Sequence, residues 1–307
     1  MTFSTHSALR ADGTPADVGL IYLDQVDVAK LRTPIDVVDD SGVIDLIEHW
    51  TEEDGIGLGG VGRPREIPIR SVLVLMVMLA IDNQPMHLTK ARDIICDRAT
   101  DNALKTLGFP ARNETDYKSL RGRKQWYDKL WHAYHAILRV VDPFPEISYE
   151  QRLTREEYDD LVATRDPELV ESRRKRLTIF NNSLIMAAAK LIGEEEFNQW
   201  TGDVAVDGTP IKAARIGSAR GARRVSSEPD AGWYVREGNH DGSNEDNPYK
   251  TMWAYEATLA VMTFSKTEDE MPSLLLGMSL DKPGHNIGKR AQDALSHIIS
   301  DPEMPKG

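Results

Sequence analysis

The chain has 307 residues, of which 40% are hydrophobic and 28% charged, a composition typical of a folded protein of about two domains. Its one cysteine, Cys96, excludes an intramolecular disulfide framework and a four-cysteine zinc site, and is expected to be a packed core thiol. The longest apolar run, residues 71–81, is shorter than the ~18 residues that a membrane span needs, and the first residues lack the pattern of a secretory signal. We therefore expect a cytoplasmic protein with no membrane partner.

The net charge of −12 argues against a polyanionic partner, but the charge is unevenly distributed along the chain. Residues 105–139 carry eight basic side chains and three acidic ones, and residues 211–224 carry five basic side chains and no acidic one. Phosphate affinity depends on the positive charge within about a Debye length, ~8–10 Å, and not on the total charge. The two basic segments therefore keep nucleic acid open as a partner, although they could also be the solvated faces of an ordinary enzyme.

In the first half of the chain, the apolar spacing predicts helices almost throughout. Residues 1–35 show no clear period and are expected to form a loose leader. Beyond them, helical spacing recurs in segments separated by glycine or proline: 41–50, 67–81, 88–107, 116–141, 154–163 and 168–193. We therefore predict an almost all-helical, DNA-binding region over residues 36–199.

Between the first two of these helices lies a glycine-rich segment, residues 55–62. Its Gly57, Gly59 and Gly62 have the spelling of the dinucleotide-binding fingerprint. That fingerprint requires a preceding strand and a following helix, whereas here the preceding segment is helical and acidic and Pro64 follows closely. A plain hinge is the better interpretation.

The helix predicted over residues 116–141 combines basic and aromatic side chains. Tyr127, Trp131, Tyr134 and Leu138 recur at helical spacing and are expected to form its apolar face. Its basic residues could hold a DNA backbone through phosphate contacts, as could those of the second basic segment. The candidate DNA-binding residues are Lys118, Arg121, Arg123 and Lys124 in the first segment, and Lys212, Arg215, Arg220, Arg223 and Arg224 in the second.

From Trp200 onward the pattern changes from helix to strand. Residues 203–207 alternate between apolar and polar, 250–264 and 273–280 are further strand candidates, and 287–299 has the spacing of a helix. The segment 213–248 is rich in Gly, Ser, Asp and Asn and is predicted to be a long loop. The predicted fold class is therefore α+β, with a mainly helical first region and a second region, residues 200–307, of three strands and one helix.

Asp207 is the residue of most chemical interest in this second region. It lies where the predicted strand meets Gly208-Thr209-Pro210, so that a carboxylate is held on a rigid element beside an open edge. Mg²⁺ takes few, well-placed oxygen ligands and keeps several waters, which suits such a position. The alternative is that Asp207 merely caps the turn that follows it.

Four stretches of the second region carry a resemblance to a known family. They are residues 203–212 (DVAVDGTPIK), 229–235 (PDAGWYV), 255–257 (YEA) and 273–279 (SLLLGMS). Together and in this order they resemble the ribonuclease-H-like catalytic core of bacterial DDE transposases, most closely the actinobacterial insertion-sequence type. The resemblance covers about residues 200–307, and extends more loosely to the helical region, which in such proteins precedes the core and binds the element's terminal repeats.

The resemblance implies a metal-dependent phosphoryl transfer. In the family, three acidic residues hold two Mg²⁺ or Mn²⁺ ions, which activate a water or a 3′-hydroxyl at a DNA phosphate. Asp207 matches the first of the three acids. The resemblance also implies double-stranded DNA carrying terminal inverted repeats as the partner, a homo-oligomeric assembly and association with the nucleoid.

The sequence departs from the family pattern after the predicted helix 287–299. The family continues with a fourth strand that ends in the second acid and a later helix that bears the third, and residues 301–307 match neither. Asp203 and Asp281 do not occupy the family's catalytic positions, and one carboxylate cannot fix two ions ~3.5–4 Å apart. We therefore expect a C-terminally truncated, catalytically incomplete transposase.

Three functions remain open from the sequence. The first is a transposase by descent, and the second is an inactive DNA-binding module that recognises terminal repeats. The third is an unrelated acidic α/β enzyme that uses Asp203, Asp207 and Asp281 on a small substrate. Salt-dependent DNA binding without strand cleavage would favour the second.

Overall fold

A change from helices to strands along the chain is seen in a computed structural model of the protein. The structure describes residues 25–56, 66–110, 119–145, 147, 152–197, 199–215, 217–218, 221–228, 230–237, 249–263 and 272–300. The regular secondary structure of these residues consists of helices and one four-stranded antiparallel sheet, which confirms the predicted α+β class. The chain divides into two compact units, Met1–Leu138 and Arg139–Gly307. None of the described helices is both long and apolar enough to span a membrane.

The first unit is helical. Its elements are α1 (Val28–Asp40), α2 (Val43–Glu53), α3 (Ile69–Ile81), α4 (Leu88–Asp93), a π-helical turn (Ile94–Arg98), α5 (Asp101–Thr106) and most of α6 (Leu120–Val141). The core lies around α3, whose Val72, Val74 and Leu75 are fully buried. Helix α1 packs against α3, and Arg70 of α3 donates two hydrogen bonds to the carboxylate of Asp39, at 2.5 and 2.6 Å.

Helix α1 corrects the predicted leader of residues 1–35. The helix begins at Val28, where the carboxylate of Asp27 accepts the backbone N–H of Lys30 at 2.9 Å. Pro34 lies inside the helix and is buried with Leu31 and Val37, so it belongs to the apolar face, although proline normally signals a break. The rest of the predicted leader, residues 1–24, and the predicted hinge at Gly57, Gly59 and Gly62 lie outside the described residues.

Helix α6 buries a different face from the one predicted. Its buried stripe is formed by Trp126, Leu130, Ala133, Ile137 and Val140, one position before the predicted stripe of Tyr127, Trp131, Tyr134 and Leu138. The two stripes are adjacent, and the observed one includes a small alanine while the predicted one holds amphipathic aromatic rings. Such rings are often half-exposed, and the side chain of Trp131 is 39% exposed.

The second unit contains the sheet. Its helices are α7 (Arg155–Thr164), α8 (Pro167–Ala189), which continues in a 3-10 turn (Lys190–Ile192), α9 (Glu194–Phe197) and α10 (Ile287–Ser300). Its strands are β1 (Val204–Lys212), β2 (Gly232–Glu237), β3 (Tyr249–Met262) and β4 (Leu275–Asp281). Helices α7 and α8 thus belong to the same unit as the sheet, whereas the sequence grouped residues 36–199 together.

The long strand β3 is the centre of the sheet. Strand β1 pairs antiparallel with residues 254–262 of β3, and β4 pairs with residues 256–261 on the other side. Strand β2 pairs with residues 249–254. Because Ala254 is opposite both Lys212 and Gly232, β2 lies on the same side of β3 as β4, and the two follow each other end to end.

Two strand predictions are corrected by this sheet. Residues 232–237 form β2, so the segment 213–248 is not a loop throughout. Strand β1 runs on through Gly208 and Pro210 to Lys212, whereas the Gly-Thr-Pro sequence was predicted to end it. Proline is tolerated because β1 is an edge strand among the described residues, and a proline whose nitrogen faces away from the ladder breaks no hydrogen bond.

The core of the second unit lies between one face of the sheet, α10 and the end of α8. Its buried residues are Met186, Ala189, Phe197, Trp200, Ala260, Met262, Leu276, Ala294 and Ile298. Helix α10 approaches closest at Gly277 of β4, where an added Cβ would lie 2.2 Å from the carbonyl oxygen of Ala294. Only glycine permits this approach, which brings α10 directly onto the sheet.

Candidate functional site

Asp207 lies in the middle of β1, not at its end as the sequence predicted. It is the fourth of the nine strand residues and its side chain is exposed. It lies opposite Leu259 of β3, which lies opposite Met278 of β4. The neighbouring row, Val206, Ala260 and Gly277, faces α10, so strand alternation places Asp207 on the face of the sheet that points away from that helix.

The hydrogen bonds that flank β1 identify which of its backbone groups point outward. Ala213 N–H donates to the carbonyl of Trp253, and Thr263 N–H donates to the carbonyl of Asp203. The N–H and C=O groups of the odd-numbered residues of β1 therefore form the hydrogen bonds with β3. The even-numbered residues therefore direct their N–H and C=O groups away from β3. Among the described residues, no strand pairs with β1 on that side, which we call the open edge.

Asp207 interacts directly with this open edge. Its Oδ1 accepts the outward N–H of Gly208 at 2.8 Å, and two residues farther along Pro210 has no N–H to present. One outward N–H of β1 is therefore already hydrogen-bonded, and a second is missing because the residue is proline. Both features protect an edge strand from pairing with other chains. Asp207 thus has a structural role at the edge as well as the exposed carboxylate that a cation could approach.

The three aspartates of the small-substrate hypothesis do not come together. Asp203 precedes β1 by one residue and lies about 13 Å along the chain from Asp207. Asp281 ends β4, where it lies opposite Glu256 on the face that carries α10, the opposite face from Asp207. Among the described residues no group of three or more His, Cys, Asp or Glu is placed to hold a metal ion. The expectation that Asp203, Asp207 and Asp281 form one site is therefore wrong.

Glu256 is a partly buried polar link that the sequence did not reveal. Its Oε2 accepts the N–H of Gly284 at 2.7 Å and a hydrogen bond from Nη2 of Arg290 at 3.2 Å, and Arg290 is only 3% exposed. Its Oε1 lies over Gly208, where an added Cβ would come within 2.9 Å. Glu256 therefore ties β3 to the start of α10, and its carboxylate would have to shift to make room for a side chain directly after Asp207.

The candidate DNA-binding residues of the first unit differ in their availability. Arg121 and Lys124 are exposed at the start of α6, and Lys124 forms a 3.0 Å ion pair with Asp128 one turn later. Arg123 instead donates to Asp93 and Asp97, at 2.7 Å each, and its hydrogen bond with Asp97 raises the pKa of the guanidinium. Arg123 therefore joins α6 to the π-helical turn. Lys118 lies outside the described residues.

In the second unit, Lys212, Arg215, Arg223 and Arg224 are all exposed, and Arg220 lies outside the described residues. The backbone of residues 223–225 is fixed beside the start of α7, since Arg155 N–H donates to the carbonyl of Arg223 and Val225 N–H to that of Leu153. An open cleft of about 480 Å³ there is lined by both signs of charge, Arg155 and Arg223 with Glu156, Asp159 and Asp160. Because its lining carries both signs of charge, the cleft itself does not select an anion. The positive surface of the second unit is instead provided by the exposed side chains named above.

Residues 217–218, together with β2, form a second feature that the sequence did not reveal. The indole N–H of Trp233 donates to the carbonyl of Ser218 at 3.0 Å, and its ring packs edge-on against Trp253, with centroids 5.5 Å apart. Trp233 is nonetheless 49% exposed. A tryptophan within an otherwise polar segment was the available signal, but its partner on β3 is 20 residues away in the sequence.

Cys96 is buried, as predicted, and burial raises the pKa of its thiol to about 11. A thiol with so high a pKa holds almost no thiolate near neutral pH and is a poor nucleophile. Cys96 is therefore a core residue of the first unit.

Comparison of the chain with protein-family models, with curated proteins and with solved structures gives no match.

Proposed function

We propose that the chain acts in DNA transposition as a protein of the DDE transposase type, with Asp207 as the first acid of a ribonuclease-H-like core. The observation that carries this proposal is the order of β1, β3, β4 and α10. Three antiparallel strands are followed by a helix that packs back on them, and the candidate acid is exposed on the first strand. This is the order in which the resembled core begins, with β2 as an addition between its first and second strands.

The open edge of β1 is a second support. In the resembled core, a fourth strand pairs in parallel with the first and ends in the second acid. The described residues leave that side of β1 without a strand, and Asp207 has its carboxylate beside it. The position that a fourth strand would take is therefore adjacent to Asp207.

The described residues do not fit a two-metal site by themselves. They place no three carboxylate or imidazole groups so that they could hold a metal ion, and one oxygen of Asp207 already accepts the N–H of Gly208. Two ions about 3.5–4 Å apart need several carboxylate ligands. We therefore assign Mg²⁺ or Mn²⁺ only to the family's chemistry and derive no catalytic step for these residues.

The DNA contacts of the proposal fall to the exposed cations. In the first unit these are Arg121 and Lys124, and in the second Lys212, Arg215, Arg223 and Arg224. Arg123 contributes to stability instead, because both of its donating nitrogens are bound to carboxylates. Phosphate contacts of this kind give salt-dependent affinity for the terminal inverted repeats of an element, and a homo-oligomer would allow two ends to be held at once.

A DNA-binding module without chemistry is the second candidate function. It is favoured by one observation: within the described residues Asp207 belongs to no group of three or more His, Cys, Asp or Glu placed to hold a metal ion, while several cations are exposed. This function keeps recognition of terminal repeats and omits strand cleavage.

One experiment distinguishes these functions. The purified chain is used to select binding sequences from a random duplex library, and the enriched duplex is then incubated with the protein and Mg²⁺ or Mn²⁺. An enriched sequence that is cleaved by the chain but not by Asp207→Asn is the result expected of a transposase. An enriched sequence without cleavage favours the binding module, and the lack of any enriched sequence would refute both.

Arg121→Ala and Arg123→Ala form a matched pair for the DNA surface. Loss of exposed Arg121 should weaken duplex binding and reduce the dependence of log K on log salt by about 1, with no change in unfolding free energy. Loss of Arg123 should instead lower the unfolding free energy and leave the salt dependence unchanged, because its charge is neutralised by Asp93 and Asp97. The reverse pattern would contradict this assignment of roles.

A further inference from the structure

Trp233 is an exposed aromatic ring whose orientation is fixed. Its indole N–H is held by the carbonyl of Ser218, and one side of the ring is packed against Trp253. Trp253 in turn is covered by Gly217, whose Cα lies so near the indole that an added Cβ would be 2.5 Å from it. About half of the surface of Trp233 remains exposed.

The segment that holds this ring also carries positive charge. Ser218 lies between Arg215 and Arg223 in the basic segment 211–224, which contains no acidic residue. Ser218 Oγ further accepts the N–H of Ser226 at 2.5 Å, which holds the chain that follows Arg223 and Arg224 beside Ser218. The basic segment thus contacts the fixed indole ring through Ser218, and exposed guanidinium groups, those of Arg215 and Arg223, lie three and five residues from Ser218 in the sequence.

We infer that Trp233 is a stacking platform for an unpaired base of single-stranded DNA, with Arg215, Arg223 and Arg224 contacting the neighbouring phosphates. Sites for single strands combine these two elements, because every base has a face that stacks on an aromatic ring and the cations follow the backbone. A fully paired duplex offers no free base face to Trp233. The ring therefore discriminates between single-stranded and double-stranded DNA, whereas the arginines do not.

The inference deepens the proposed function and rests on it, because the proposed function identifies the bound single strand as DNA that passes Asp207. Trp233 lies opposite Trp253, and in β3 the odd-numbered residues from Trp253 to Leu259 share the face on which Asp207 lies. Along β3 the two positions are about 20 Å apart. A strand that passes Asp207 could therefore place an unpaired base on Trp233 without leaving this face of the sheet.

The test uses the full chain and two fluorescent probes, a short oligo(dT) strand and a duplex of the same length, with binding followed by anisotropy. Trp233→Ala should weaken the binding of oligo(dT) about 5- to 150-fold, the range expected for one lost base–aromatic stack, and leave the binding of the duplex unchanged. Trp233→Phe keeps an aromatic face and should retain most of the affinity for oligo(dT). Val235→Ala removes a 59% exposed side chain from the same face of β2 and should bind both probes like the wild type.

A second readout does not depend on affinity. Oligo(dT) that contains 5-iodouracil should photocrosslink to the peptide bearing Trp233, as mapped by mass spectrometry. If crosslinks form only at other residues, or if Trp233→Ala binds oligo(dT) like the wild type, the inference is wrong. Binding of the duplex by the wild type would still support the proposed function in that case. If the wild type binds oligo(dT) through Trp233 but binds no duplex, the inference stands and the proposed function fails.

Discussion

Strands β1 and β4 lie on opposite sides of β3, and their outer edges are protected from further pairing in different ways. Along β4, helix α8 lies beside the strand, and Oδ1 of the buried Asn182 accepts the N–H of Met278 at 2.7 Å. Along β1, Asp207 accepts the outward N–H of Gly208, and Pro210 has none to present. The β4 edge is thus closed by packing and a partly buried hydrogen bond, while the β1 edge is exposed and protected by its own sequence. We expect substitutions on the closed side to change stability and those on the open side to change binding or association.

The largest effect should come from Gly277→Ala on the closed side. The new Cβ would lie 2.2 Å from the carbonyl oxygen of Ala294, a backbone atom that can yield only if α10 moves. We expect the unfolding free energy to fall by about 3 kcal/mol, as measured by urea denaturation. In Gly288→Ala on α10, the new Cβ meets no described atom within 4 Å, so this control should be up to about 1 kcal/mol more stable than the wild type. Equal effects of the two substitutions would contradict the close approach of α10.

The closing hydrogen bond can be tested separately through Asn182→Ala. This substitution leaves the partly buried N–H of Met278 without its acceptor, and we expect the unfolding free energy to fall by about 2 kcal/mol. Asn181→Ala removes the same side chain one position earlier on α8, away from this contact, and should cost clearly less. Amide hydrogen exchange provides the second measurement. Exchange at Met278 should accelerate only in Asn182→Ala, and faster exchange in both variants would indicate that α8 itself has loosened.

The difference between the edges also explains which parts of the molecule were predictable. The helices, the last two strands and the α+β class follow from local spacing, because apolar side chains repeat at the period of the element that buries them. Strand β2 does not follow from spacing, since glycine, serine and aspartate surround it and its pairing with β3 is a tertiary contact. The end of β1 was misplaced for a related reason. Pro210 stops most strands, and only the outward direction of its nitrogen lets this one continue.

The candidate site was predictable only in part. Asp207 was identified from its sequence context, and it is indeed exposed on a strand that shares a sheet with β3 and β4. Its contact with Gly208 and the proximity of Glu256 depend on register across β1 and β3, which no local pattern specifies. The engagement of Arg123 by Asp93 and Asp97 likewise joins residues about 30 positions apart, so charge counting placed it with the free cations.

On the open side, Pro210→Thr should change association and not folding. Threonine restores an outward N–H and favours extended backbone, so β1 becomes a better template for pairing with a second molecule. We expect the unfolding free energy to change by less than about 1 kcal/mol, while sedimentation velocity shows a higher weight-average mass than the wild type at the same concentration. Ile211→Thr introduces the same side chain where the backbone already pairs with β3, and should leave the mass unchanged. If both variants sediment like the wild type, Pro210 does not protect the edge.

The smallest effect concerns Glu228, which anchors the chain directly after the open-edge strand. Burial raises the pKa of its carboxyl, against the opposing effect of hydrogen bonds from the backbone N–H groups of Arg215 and Ala214. A raised folded-state pKa means that Glu228 favours folding most when pH is below its unfolded pKa of about 4.3, and that this contribution is lost as pH rises through the folded pKa. Glu228→Gln keeps an acceptor but cannot ionise, so near neutral pH it should equal or exceed the wild type in stability, by less than about 0.5 kcal/mol because the group is partly exposed.

Glu157 provides a comparison of opposite sign. Hydrogen bonds from Thr154 lower the pKa of the Glu157 carboxyl, so its contribution is present above the unfolded pKa and is lost as pH falls through the folded pKa. In unfolding free energies measured from about pH 4 to pH 7, the difference between Glu228→Gln and the wild type should therefore shift in favour of the variant as pH rises, whereas the difference for Glu157→Gln should shift in favour of the wild type. The same direction in both variants would mean that the carboxylate of Glu228 is not buried against the chain that leaves β1. In that case the described contacts that hold the segment after the open edge would be the backbone hydrogen bonds of Ala213 and Ser218 and the hydrogen bond from Ser226 N–H to Ser218 Oγ.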